Sequence, residues 1–182
     1  NETALTVHGK SDLSKITRQK NSDFENFTIN TQWLWPNSAD NTPTDIYFKP
    51  GGTTLYVQGS QTEDIQEYLL DAPYDLRNAK WVRSVSINEF GISNSIGLQF
   101  KPDGTKLFAT DYSSDDVFEL SLSTPWDITT VGLTTVYVTS EDTTISGLHI
   151  GAGGTIMYLT GTSNDDIYQY SISTAWDLTS TV

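Results

Sequence analysis

The sequence predicts an all-β fold of three tandem four-stranded antiparallel units. Two observations carry this: landmarks that recur at a near-constant spacing, and apolar residues that alternate with period two inside each copy. Composition agrees, because only 18% of the 182 residues are charged while Thr, Ser, Asn and Gly abound, a balance that suits strands and turns rather than long amphipathic helices. A hydrophobic fraction of 36% is enough for a core in a chain of this length.

The spacing comes first. Phe48-Lys49-Pro50-Gly51-Gly52 aligns with Phe100-Lys101-Pro102-Asp103-Gly104 and again with Ile150-Gly151-Ala152-Gly153-Gly154, at offsets of 52 and 50. The same offsets carry Glu63-Asp64 onto Asp115-Asp116 and Asp165-Asp166, and Tyr74-Asp75-Leu76 onto Trp126-Asp127-Ile128 and Trp176-Asp177-Leu178. Three landmarks moving together define repeats at about 43–92, 93–142 and 143–182, preceded by an arm over residues 1–42.

Within a copy, the first strand places Ile46 and Phe48, Leu98 and Phe100, or Leu148 and Ile150 on one face. A Pro-Asp-Gly or Gly-Gly corner follows, where Pro presets φ and Gly accepts φ > 0, so the chain reverses tightly. The second strand is Leu55 to Val57, Leu107 to Ala109 and Met157 to Leu159, and a polar turn containing the acidic pair leads to the third. There Phe118, Leu120 and Leu122 share a face, as do Tyr168, Tyr170 and Ile172, with Gln66, Tyr68 and Leu70 the weaker set in copy one. After the aromatic-Asp corner, a fourth strand is expected over Trp81 to Ile87 and Thr134 to Thr139.

Four such strands make a β-propeller blade. Propellers have about four to eight blades, so three are expected to be completed by oligomerisation or by a longer parent chain. The third copy reaches Val182 before its fourth strand, while Phe27 to Trp35 precedes copy one in the equivalent position. That segment is expected to complete a terminal blade, its own or a neighbour's.

The run from Phe100 to Phe108, followed by Asp115-Asp116-Val117-Phe118 and Ser123-Thr124-Pro125-Trp126-Asp127, resembles the propeller-like repeats of marine phage structural and fibre proteins and of bacterial surface proteins, and is similar to the wider YVTN-type group. The resemblance covers about residues 43 to 182. Copy one departs from it at Gly51 and Tyr74, and copy three at Ile150-Gly151-Ala152. The Trp-Asp pairs are not a WD-repeat signature, because no Gly-His precedes them at the usual distance. The resemblance implies a virion or cell-surface protein used for display, attachment or decoration.

Candidate chemistry is sparse. Asp115, Asp116, Asp165 and Asp166, with Glu63-Asp64, are the calcium candidates, since carboxylates bunched in a turn supply hard oxygen ligands. Their spacing is not that of an EF-hand or a nonapeptide calcium repeat, and Asp bonding to turn N–H groups is the stronger reading. Asp75, Asp127 and Asp177 suit an N-cap or Asx turn, and Tyr74, Trp126 and Trp176 suit the edge of the core. Trp33 and Trp35, beside Pro36, form a candidate aromatic platform for a glycan or a docking partner. His8 and His149 are too few and too separated for zinc, no Gly-x-Ser-x-Gly elbow occurs, and without cysteine there is neither a disulfide nor a thiol nucleophile. Catalytic residues, a cofactor and a resident metal are not expected.

The net charge of −13, with Lys106 the only Lys or Arg from Pro102 onward, argues against nucleic-acid binding, and no apolar run approaches the about 20 residues that span a bilayer. The leading expectation is a non-catalytic virion structural or attachment protein, homo-oligomeric and partnered by other proteins of a virion or extracellular surface. A carbohydrate-binding propeller that meets cell-surface glycans is the alternative, and a fragment of a larger glycan-acting propeller enzyme is the third reading.

Overall fold

Period-two alternation gives every strand two faces, and in this chain both carry apolar residues, so each sheet needs a neighbour on either side. The computed structural model describes residues 42–182, which lie within one compact unit. In them, β1 (Pro43–Phe48), β2 (Thr54–Gly59), β3 (Asp64–Leu69) and β4 (Lys80–Ser86) form one antiparallel sheet in chain order. A second sheet holds β5 (Ser95–Phe100), β6 (Lys106–Asp111), β7 (Asp116–Leu122) and β8 (Val131–Val138), and a third holds β9 (Ile145–Gly151), β10 (Ile156–Gly161) and β11 (Ile167–Ser171). The third sheet also carries the first two residues of a fourth strand: Thr181 bridges Ile172, and Ser171 and Val182 exchange backbone hydrogen bonds of 3.1 and 2.8 Å. This is the register of Leu122 with Val131 and Ser121 with Gly132 in the second sheet. The described residues therefore form an all-β array of propeller-type blades, as the repeat predicts.

The fourth strands start earlier than expected, β4 by one residue at Lys80 and β8 by more. β8 begins at Val131, three residues before the expected Thr134, because the 3-10 turn Ile128–Thr130 delivers the chain directly into register with Leu122. Gly132 and a bulge at Glu119/Leu120 interrupt the alternation there, which hides the strand's start.

The blades stack face against face. Tyr56, Ile65 and Val85 of the first meet Leu98, Phe100, Leu107, Phe118 and Leu120 of the second. Phe108, Val117 and Tyr137 of the second meet Ile150, Met157, Leu159, Tyr170 and Ile172 of the third. Each fully buried side chain of this size contributes about 1.5–3 kcal/mol, so the seams between sheets hold most of the apolar stabilisation. The innermost strands β1, β5 and β9 run beside one another.

The corners are closed by an aromatic ring laid on a glycine. Tyr74, Trp126 and Trp176 all have positive φ (59, 67 and 63°), and their N–H groups donate to Gly52, Gly104 and Gly154 O at 2.8–2.9 Å. That backbone turn drops each ring onto the glycine: a Cβ on Gly104 would lie 2.4 Å from the Trp126 indole, and one on Gly154 2.3 Å from that of Trp176. The residues before the glycine set the turn. Pro50-Gly51, with Gly51 at φ 96°, suits a type II turn, and Pro102-Asp103 a type I turn. In copy three Ala152 and Gly153 are both left-handed (49 and 69°), as a type I′ turn requires and Pro forbids.

Gly104→Ala is expected to destabilise the chain by about 2–4 kcal/mol, from overpacking and a left-handed Cβ together. Gly132→Ala, where a Cβ meets nothing within 4 Å, should cost under about 0.5 kcal/mol. Urea unfolding of the two variants checks the contrast.

Candidate functional site

The polar chemistry of the described residues lies along the seams and at the turns beside them. At the first seam the Tyr56 hydroxyl donates to Trp126 O at 2.8 Å, and burial pushes the Tyr56 phenol above its ordinary pKa. Arg83 Nε lies 3.0 Å from Glu67 Oε2 and its Nη1 donates to Asp127 Oδ1 at 3.1 Å, joining blade one to the corner of blade two. Burial raises the Glu67 pKa, with Arg83 opposing.

At the second seam different residues meet the same backbone atoms. Lys106 Nζ donates to Trp176 O at 2.7 Å and pairs with Glu119 Oε1 at 2.5 Å, while Glu119 Oε2 accepts from Leu178 N at 2.8 Å. Glu119 is fully buried, so Lys106 supplies the charge that its burial requires. The innermost strands are linked by side chains as well. Asp45 Oδ2 accepts from Leu98 N, and the Gln99 amide pairs with both N–H and C=O of Ile150, each at 2.8 Å.

The acidic pairs divide their work. The first member of each, Glu63, Asp115 or Asp165, sits at positive φ (54, 64 and 58°) and turns the chain, and the second begins or precedes the next strand. Glu63 Oε2 reaches Ser95 N in the second blade at 2.8 Å. The shorter Asp115 accepts the Thr139 hydroxyl at its main-chain O, and its Oδ1, like that of Asp116, is buried without a hydrogen bond. Burial raises the Asp116 pKa, and the charges of Asp111 and Asp115 add to the rise. Asp165 and Asp166 are exposed. Among the described residues no group of three or more His, Asp or Glu is placed to hold a metal ion.

Asp75, Asp127 and Asp177 cap the 3-10 turns that follow them, accepting from the N–H two residues on at 3.0–3.1 Å. Hydrogen bonds from Thr129 and Thr179 hold the pKa values of Asp127 and Asp177 below the ordinary carboxylate value. Trp126 and Trp176 pack against the seams, and Trp126 lies 5.5 Å from Phe100; Tyr74 stays largely exposed beside Phe48. His149 is exposed and stacks on Tyr158. Trp33, Trp35 and the strand expected over Phe27 to Trp35 lie outside the described residues.

Sequence reading missed one feature of the turn after each second strand. In blade two, the buried Asp111 accepts from the N–H groups of Ser93, Asn94, Ser113 and Ser114. Burial alone would raise its pKa, and these four donors bring it below the ordinary value. Blade three has Gly161 at that position, and the carboxylate arrives from the incoming loop instead: Asp142 accepts from Thr144, Ser163 and Asn164 N. A Cβ on Gly161 would lie 2.0 Å from Asp142 Oδ2, so one carboxylate fills one place by two routes. The aligned pairs Ile92/Asp111 and Asp142/Gly161 were the available signal.

No protein-family model and no curated protein matches the sequence. Among solved structures, the chain is similar to a candidate 6-phosphogluconolactonase from Bacteroides fragilis, at 14% identity and TM-score 0.56 over 77% of this chain and 36% of that one. It is also similar to the periplasmic gluconolactonase of Pseudomonas aeruginosa (11%, TM-score 0.55, 72% of this chain and 36% of that one) and to the β-propeller domain of Cps50 (Swd1) from Myceliophteria thermophila (12%, TM-score 0.52, 72% and 40%). The chain thus spans between a third and two fifths of each of these three structures, and the likeness is one of fold: consecutive blades of a β-propeller.

Asp111→Asn is expected to cost about 2 kcal/mol at pH 7. Because the folded pKa of Asp111 is depressed, its contribution is fully present above the unfolded Asp value of about 3.9 and fades as pH falls through the lower folded value. The gap between wild type and variant in urea unfolding should therefore be constant above about pH 5 and shrink below about pH 4. Separately, EDTA and millimolar calcium are each expected to leave the melting temperature unmoved.

Proposed function

We propose that this chain is a non-catalytic structural or attachment module of a surface assembly, a virion or an extracellular surface. The observation that carries the reading is the commitment of its recurring polar residues to the scaffold. The three corner aspartates cap turns, Glu63 and Glu119 reach backbone N–H groups of the next blade, and the corner tryptophans lie on glycines at the seams. Carboxylates bound in this way to the backbone of their own or the next blade serve the scaffold, whereas a catalytic carboxylate needs one distinctive environment. The virion placement rests on the resemblance of the repeat sequence.

Carbohydrate binding is the second reading, and the exposed Tyr74 and Trp81 rings favour it, since flat aromatic faces open to solvent are what sugar stacking uses. Lactone hydrolysis would follow if the gluconolactonase names of two structural neighbours applied to this chain.

Isolation from the native source, with the masses of the intact complexes measured, tests the proposal. The chain is expected within an assembly with other surface or virion proteins, and without turnover of 6-phosphogluconolactone or of polysaccharide. Catalytic turnover by the purified chain would overturn it.

A further inference from the structure

We propose that the outward face of the third blade is a docking surface for one more four-stranded repeat of this same type. Equivalent positions in the three blades define this surface, whatever the module's biological setting. Ile65 and Val117 are fully buried at the first and second seams, and the residue at that position in blade three, Ile167, is 74% exposed. Tyr56 and Phe108 are buried in the same seams, while Tyr158 is only half-buried. Blades one and two each receive a following sheet on this face, and the third presents the same face to solvent.

The polar atoms match too. Tyr56 gives its hydroxyl to the carbonyl of the corner aromatic in the next blade, and Tyr158 stands at the Tyr56 position with its own hydroxyl. Glu119 accepts a backbone N–H from the next blade at 2.8 Å, and Gln169 stands at that position with an amide oxygen able to accept the same N–H. The charge change is concerted. Where blade two pairs Lys106 with Glu119, blade three has Ile156 and Gln169, so both members of the ion pair are replaced together and these two positions leave no lone charge to be buried. The partner that fits is a blade presenting Leu, Ile or Phe on its first two strands and an aromatic corner whose carbonyl accepts a hydrogen bond across the seam, as blades two and three do.

Extension of the full chain tests this. Repeating residues 133–182 after Val182 supplies the rest of the fourth strand and one further blade, and repeating 133–142 alone supplies only the strand. The longer extension is expected to raise Tm by about 5 °C or more over the shorter one, and to slow amide exchange in β10 by more than about tenfold. Ile167→Asp should remove that increment while leaving the Tm of the unextended chain unchanged. Tyr158→Phe, which deletes only the hydroxyl, should lower Tm in the longer form alone. Equal melting of the two extensions, or an equal cost of Ile167→Asp with and without the added blade, would overturn the proposal.

Discussion

A sheet with apolar side chains on both faces cannot shield itself from water, and everything in this structure follows from the need to lay one such sheet on the next. Ile65 and Tyr56 are dry because Leu98, Phe100 and Phe118 cover them. Once two sheets close, the backbone groups trapped at their margin need partners, because a buried carbonyl or N–H left alone forfeits about 1–3 kcal/mol. The margin is met by whatever side chain is within reach. A phenol serves Trp126 O at one seam and an ammonium serves Trp176 O at the other. What recurs is the demand for a donor rather than a residue type.

This division explains which parts of the fold were legible. The Pro-Gly corners, the acidic turns and the aromatic-Asp corners could be read because each acts within its own repeat, through φ preferences and contacts that sequence spacing encodes. The strand faces could be read from alternation. The seam contacts were hidden, since Glu63 with Ser95 or Glu119 with Leu178 joins residues in different copies, and no pattern within one copy names the partner. Asp111 was hidden for another reason: it occurs in one copy only and looks like the polar end of a strand. The acidic pairs looked like single features, whereas the backbone separates a left-handed turn residue from a neighbour in or next to a strand. For the candidate site the visible residues were therefore the structural ones.

Propeller blades host unrelated activities, and the similar structures themselves carry different names, two gluconolactonase-type proteins and a Cps50 (Swd1) propeller domain, so the likeness is one of fold. Among the described residues, Asp111 and the corner aspartates are held by hydrogen bonds from nearby N–H and hydroxyl groups. Four N–H groups surround Asp111, and Thr129 and Thr179 hold the corner aspartates. Each carboxylate so held has a lowered pKa, which suits a permanent acceptor better than a proton shuttle at neutral pH.

The reciprocal exchange of Asp111 for Asp142 reaches beyond stability. Copies one and three share one arrangement in sequence, Asp40 with Gly59 and Asp142 with Gly161, and copy two has the inverse, Ile92 with Asp111. A gene for tandem repeats invites unequal crossing-over, yet an exchange between copy two and either other copy that breaks between the loop and its strand would bring two carboxylates to one turn or none. Exchanges with copy two that carry both positions together keep one carboxylate per turn, so lengthening or shortening by whole units costs the array less than a break inside that joint.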